Sequence, residues 1–400
     1  MLFLSVCTIF EPQKKWIMER SNELLGSKPH FALLDGLRGV AALLVVWYHL
    51  FEGFAFAEAV NEAGEGVITV INHGYLAVDF FFLLSGFVMG YAYDERWGKG
   101  FTVREFFRRR LIRLHPMVLF GALFGALTFL LGGAQQWDGS PVALHFVLLA
   151  LVAGCFMIPA LPGVGYEVRG NGEMFPLNGP SWSLFFEYIG NILYALAIRR
   201  LSTRWLTVLV VLLGLLLTGF ALTDPSGYGC IGVGWTLDGV NVVGGLLRMA
   251  FPYSLGLLMS RRFKPCRIKG AFLLSTLLLL VLFHVPAIAP SSGLCLNGLY
   301  EMGCIIVVFP LIVWLSASAV QGTPRLEALY RGLGQLSYPL YLIHYPVMYL
   351  FYAWLIREQR YSLTDCWQVA LPLYAGCVLF GWLVYKYYEA PVRQRLAARG

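Results

Sequence analysis

Charge is what this sequence has least of. Of 400 residues, 13% are Asp, Glu, Lys or Arg, where a soluble domain carries about 25%. A chain this long and this poor in charge is excluded from the soluble globular class. Paired cysteines are also missing. The eight Cys never form a Cys-x-x-Cys pair, so neither a zinc site nor a dithiol redox motif is indicated, and no metal is expected. No internal repeat or low-complexity tract stands out. Whole stretches lack Lys and Arg altogether: 52–73, 223–241 and 289–299. The net charge of +7 is therefore not a nucleic-acid footprint. The bases sit in clusters between apolar runs, as the positive-inside rule expects.

The chain is instead 58% hydrophobic, with a mean hydropathy of +0.66, and its apolar runs reach membrane length again and again. The fold class implied is all-α: a polytopic membrane helix bundle of about ten transmembrane helices. The expected spans are 32–52 (with a continuation to about 58 left open), 74–93, 116–131, 181–198, 205–222, 243–260, 271–288, 300–318, 335–355 and 369–388. The apolar segment 143–160 is short and ends at Pro159 and Pro162. If it crossed, every later loop would invert its charge rule. It is therefore expected to be re-entrant or to lie within the bundle, with both termini cytoplasmic.

Residues 1–30 read as a cytoplasmic lead-in, because Lys14, Lys15 and Arg20 follow the short apolar start instead of preceding it. Residues 31–395 form the membrane domain and 396–400 a short tail. Cys230 and Cys295 fall in outer loops, where a disulfide is chemically open.

The organising stretch is Leu34-Asp35-Gly36-Leu37-Arg38, running on to Trp47-Tyr48-His49-Leu50. Eleven helical steps bring His49 to within about 20° of Arg38, about 16 Å further along the axis. Ionisable groups within a span cost about 2.5–3.5 kcal/mol each and usually face a polar cavity. Asp79 enters from the opposite side and is expected to meet His49 at similar depth and orient its ring, as carboxylates orient catalytic histidines. Arg109, Arg110 and Arg113 crowd the basic start of the third span. Guanidinium forks suit phosphates, and the i, i+4 spacing is expected to put Arg109 and Arg113 on one face. Ser183 and Glu187 lie four apart at the start of a span, and His344 sits near mid-membrane between Pro339 and Pro346. The other histidines read as structural.

Six stretches then stand in one order: LDGLRGVAALLVVWYH, VDFFFLLSGF, FFRRRLIRLHP, NGPSWSLFFE, LGQLSYPLYLIHYP and YYEAPVRQR. They run from about residue 33 to 395, and in this order the chain resembles the acyltransferase-3 family of integral membrane O-acyltransferases. The resemblance implies a ten-helix bundle in a bacterial inner membrane. His49 would be the catalytic histidine, Arg38 its arginine partner, and Arg109, Arg110 and Arg113 the acyl-donor site. Glu187, counted with His49 and Arg38 as catalytic and expected to orient His49 or bind the acceptor's hydroxyls, matches the acidic position of the Trp-Ser-Leu-x-x-Glu motif, but the second acidic position is Tyr188 here. No fused esterase-like domain is seen.

The partners expected are the lipid bilayer, a glycan or lipid-linked glycan acceptor, and acyl-CoA, most simply acetyl-CoA, as a co-substrate rather than a bound cofactor. Ser183 and His344 are assigned to the substrate. A homo-oligomer is left open. The alternatives are a transporter using the same intramembrane groups, or an acyltransferase acting on a small molecule.

Overall fold

A computed structural model describes residues 31–63, 71–266, 268–288, 293–320 and 322–398. The expected lead-in 1–30 and the end of the tail lie outside these residues. Among the described residues every regular element is helical. They are α1 (Ala32–Ala63), α2 (Ala77–Trp97), α3 (Val103–Leu131), α4 (Leu144–Cys155), α5 (Ser181–Leu196), α6 (Thr203–Thr223) and α7 (Gly239–Arg262). Then come α8 (Ala271–His284), α9 (Leu296–Gly303), α10 (Phe309–Ala317), α11 (Pro324–Glu358), α12 (Leu363–Val384) and α13 (Ala390–Ala398). A five-residue π turn joins α9 to α10 and another joins α12 to α13.

Several helices begin well before the apolar run announces them. A capping box, Thr102 with Glu105, starts α3 ahead of the arginines, not at Pro116. The arginine cluster therefore rides on the helix itself. Thr323 caps α11, with Pro324 in its first turn, where a missing N–H costs nothing. At its other end α1 runs on to Ala63, so Glu52, expected at the edge of a loop, is a helical residue.

Nine segments of the described residues are long and apolar enough to cross a bilayer. The tenth expected crossing, 271–288, holds a helix of only 14 residues, about 21 Å at 1.5 Å per residue. Non-helical residues flank this helix. Ile268 bridges to Ala319 at one end and Pro286 to Asn72 at the other. Leucines such as Leu123, Leu215, Leu273 and Leu277 stay exposed on the outer surface, a belt that lipid covers without cost. The protein is an integral membrane protein.

One end of the bundle gathers the bases. Phe31 packs on Tyr91 and Phe263 with ring centroids 4.6 and 5.8 Å apart. There Arg261 pairs with Asp94 at 2.6 Å and Arg199 lies over Trp97. The axis of the bundle is the close contact of α1 with α11. A Cβ on Gly39 would stand 2.3 Å from the Leu333 carbonyl oxygen, so only glycine lets these two backbones touch.

The segment expected to be re-entrant holds α4, a helix of 12 residues, too short for the roughly 20 that a crossing needs. Residues 156–180 follow without a helix, yet Glu167 to Arg169 and Glu173 to Asn178 are buried. The Trp137 amide donates to the Arg169 carbonyl at 3.1 Å, so the chain returns to the end it left. Asn178 Nδ2 donates to the Leu342 carbonyl at 2.8 Å, and the Gly179 amide to Tyr349 Oη at 3.2 Å, pinning this plug to α11. Irregular backbone is stable at membrane depth only when protein or an internal cavity surrounds it. Cys230 and Cys295 are free thiols.

Candidate active site

The helical period does place Arg38 and His49 on one stripe of α1. Along that stripe Ala42, Val45, Glu52 and Phe56 are buried. Arg38 and His49 keep 27% and 17% of their side-chain surface accessible. Both therefore remain accessible on a stripe whose intervening residues are packed.

The carboxylate beside His49 is Glu52, one turn on. His49 Nδ1 donates to Glu52 Oε2 at 2.7 Å. Tyr352 Oη, from α11, donates to the His49 carbonyl at 2.6 Å and lies 3.1 Å from the same Glu52 oxygen. With Nδ1 protonated and held, Nε2 carries the lone pair. This corrects the expectation for Asp79. Both Asp79 oxygens are bound by Arg248, at 3.1 Å to Nε and 2.6 Å to Nη2, and neither side chain keeps more than 1% exposure. That pair closes α2 onto α7, and the carboxylate that holds His49 is Glu52 instead.

His344 does reach the site. Its ring stacks on that of His49 with centroids 5.3 Å apart. Its Nδ1 donates to the Leu340 carbonyl at 3.0 Å, while Nε2 is buried with no partner. Tyr345 closes the other side of His49 at 4.7 Å. Ser183 Oγ bonds Tyr341 Oη at 2.8 Å, and the Tyr341 ring is 5.9 Å from that of His344. Ser183 thus sits one residue behind the paired imidazoles.

The remaining expected residues lie toward the basic end. Glu187 Oε1 accepts from Arg110 Nη2 at 2.6 Å and from Ser85 Oγ at 2.9 Å. Glu187 is thus tied to the arginine cluster, with 20% of its side chain accessible. Arg113 is half-buried and within electrostatic reach of Arg38, Arg110 and Arg393. Arg109 is not part of this group. It is exposed, with its guanidinium 5.4 Å over the Phe101 ring. The expected shared face of Arg109 and Arg113 is replaced by an inward face carrying Arg110 and Arg113, three apart.

Two residues escaped the sequence reading. Glu52 was assigned to a loop, although three-residue spacing from His49 was its signal. Arg393 was seen only as part of a terminal basic motif.

The Acyltransferase domain family matches residues 31–386 of this chain. The chain belongs to the acyltransferase-3 family. Acyltransferase MdmB of Streptomyces mycarofaciens is 25% identical over 387 residues, covering 92% of each protein. The peptidoglycan O-acetyltransferase OatA of Listeria monocytogenes is 24% identical over 389 residues, covering 92% of this chain and 56% of OatA. "Protein 2 in picA locus" of Rhizobium radiobacter is 38% identical over 191 residues, covering 45% of this chain and 88% of that protein. No solved structure matches. In this acyltransferase Arg38 and His49 stand on α1, at two accessible points of an otherwise buried stripe.

Proposed function

We propose that this acyltransferase moves an acyl group, most simply acetyl, from cytoplasmic acyl-CoA to a hydroxyl of a glycan or lipid-linked glycan, within a bacterial inner membrane. The observation that carries the proposal is the Glu52–His49 pair, with the imidazole still partly accessible. The name of the OatA relative supports a glycan acceptor.

In this reading the basic end faces the cytoplasm. Arg110, Arg113, Arg38 and Arg393 supply positive charge for the donor's phosphates, and Glu187 holds Arg110 in place. The acyl thioester is presented to His49, which keeps accessible side-chain surface. Nε2 of His49 takes the proton of the acceptor hydroxyl as its oxygen attacks the thioester carbonyl. The C–S bond then breaks, and the leaving thiolate takes the proton back from His49. Glu52 stabilises the imidazolium formed between these steps. General-base catalysis of this kind is typically worth about 10²–10⁴-fold. His344, whose Nε2 has no hydrogen-bond partner, accepts a hydrogen bond from the acceptor.

The test is His49→Ala in membranes supplied with radiolabelled acetyl-CoA and envelope glycans. Transfer should fall by about 10²-fold or more, with the protein still folded and membrane-inserted. Transfer at the wild-type rate would remove His49 from the chemistry.

A further inference from the structure

The plug carries a polar cluster that the donor site and His49 leave unused. Arg169, buried, lies with its guanidinium 3.7 Å from the Tyr349 ring centroid and 5.4 Å from that of Trp137. Its Nε donates to the Pro176 carbonyl at 3.0 Å. Glu173 accepts from Asn171 Nδ2 at 2.9 Å and from Tyr349 Oη. Three polar atoms of this cluster are buried and unpartnered: Arg169 Nη2, Trp137 Nε1 and Asn171 Oδ1. Such atoms are uncommon in folded proteins, and each one calls for a water or a ligand.

The cluster adjoins the reacting histidine. Tyr345 contacts His49 on one side and Tyr349 on the other, each at 4.7 Å. Glu173 also lies within electrostatic reach of Glu52. Two aromatic rings separate the Arg169 guanidinium from the His49 ring.

We infer that this face of the plug is the acceptor subsite, and that it takes a neutral, polyhydroxylated ring next to the hydroxyl that is acylated. This inference rests on the acyltransferase reading above. Three observations argue the ligand class. The open atoms are two donors and one acceptor, and hydroxyls both donate and accept. The Arg169 guanidinium is already engaged by the Pro176 carbonyl and the Tyr349 ring, so it is not a free cation that would select an anion. Trp137, Tyr345 and Tyr349 pack around the cluster, and aromatic rings suit the apolar faces of a sugar ring.

The test uses the full-length protein in proteoliposomes with radiolabelled acetyl-CoA. The acceptors are methyl glucoside or N-acetylglucosamine, n-butanol, and water alone. Arg169→Lys keeps the charge, and Trp137→Phe keeps an aromatic ring without the N–H. Each should raise KM for a sugar acceptor by roughly 5- to 10-fold, the loss of one hydrogen bond. Transfer to butanol and hydrolysis of acetyl-CoA should stay at wild-type rates. An unchanged sugar KM in both variants overturns the subsite, as does a wild type that acylates butanol and neither sugar. A variant that lowers all three readouts together has lost its fold, and the other variant then decides. A wild type that moves acetyl to no acceptor, water included, overturns the acyltransferase reading itself.

Discussion

Two of the carboxylate pairs in this bundle are built for different ends. Asp79–Arg248 is sealed. Both carboxylate oxygens are bound, and Arg248 also donates to the Val233 carbonyl at 2.7 Å and packs over Trp182. Glu52–His49 is left open. One imidazole nitrogen is tied, the ring keeps accessible surface, and the stacked His344 holds an unpartnered Nε2. A charge with every valence filled holds helices together. A group with one atom unspent and some surface accessible is available for chemistry.

The sharpest way to break this contrast is to strip one partner from each pair. Arg248→Leu leaves the Asp79 carboxylate buried and uncompensated, a loss of about 3–5 kcal/mol. That is a large part of the stability of most folded proteins. The expected outcome is loss of detergent-extractable, monodisperse protein, with all activity lost through the fold. A stable, monodisperse Arg248→Leu protein would show that the sealed pair is not structural. Glu52→Gln should do the reverse. The protein should extract and melt like the wild type. Its turnover should drop by about 10²–10⁴-fold, because a carboxamide neither fixes the tautomer nor stabilises the imidazolium. KM for acyl-CoA should stay constant, and Glu52→Asp should restore part of the rate. Equal losses in turnover and thermal midpoint would place Glu52 with the structural pairs.

How much of this was legible in the sequence follows from the range of each interaction. Arg38 and His49 share a helix, so the 100° period alone put them on one face. Glu52 is equally local and was still missed. The run Glu52, Glu58, Glu62 looked like an acidic loop, and apolar content does not reveal that α1 continues to Ala63. The partner of Asp79 was out of reach, because Arg248 is 169 residues away and nothing in either stretch encodes their meeting. The plug was expected to be re-entrant from its length and the loop charges. Its cluster of Arg169, Glu173 and Tyr349 has no period to read, since neither 167–180 nor its approach to α11 follows a helix.

The same contrast between facing inward and facing outward can be sharpened at the basic end. Arg113 lies among Arg38, Arg110 and Arg393, whereas Arg109 is spent on Phe101. Arg113→Gln should raise KM for acyl-CoA by about 10-fold, the value of one charge-assisted hydrogen bond to phosphate, while KM for the acceptor stays constant. Arg109→Gln should change neither by more than about 2-fold, as for an exposed charge. Initial rates over a matrix of donor and acceptor concentrations separate the two. A larger donor effect from Arg109 would mean that the phosphates dock outside the inward group.

Glu167 is the intermediate case, buried in the plug with partners that fill it only in part, and it should give the smallest effect. Its carboxylate accepts from the amides of Arg169 and Gly170 at 3.1–3.2 Å. Burial and the negative charge of Glu173 nevertheless push it up to about 7. A carboxyl that holds its proton more tightly folded than unfolded stabilises the folded chain most at low pH. Its contribution is fully present below about 4.5, the ordinary glutamate value. It fades as pH rises through 7, because the unfolded chain has then given up a proton that the folded one keeps until about 7. The plug should therefore become easier to nick by protease between pH 5 and 8. Glu167→Gln, fixed in the neutral form, should flatten that rise, leaving the part that belongs to Glu173, whose carboxyl burial also raises. Limited proteolysis across that range measures both slopes. An unchanged slope in Glu167→Gln would mean that this carboxylate is as well satisfied as Asp79, and that the plug is held as tightly as the α2–α7 seam.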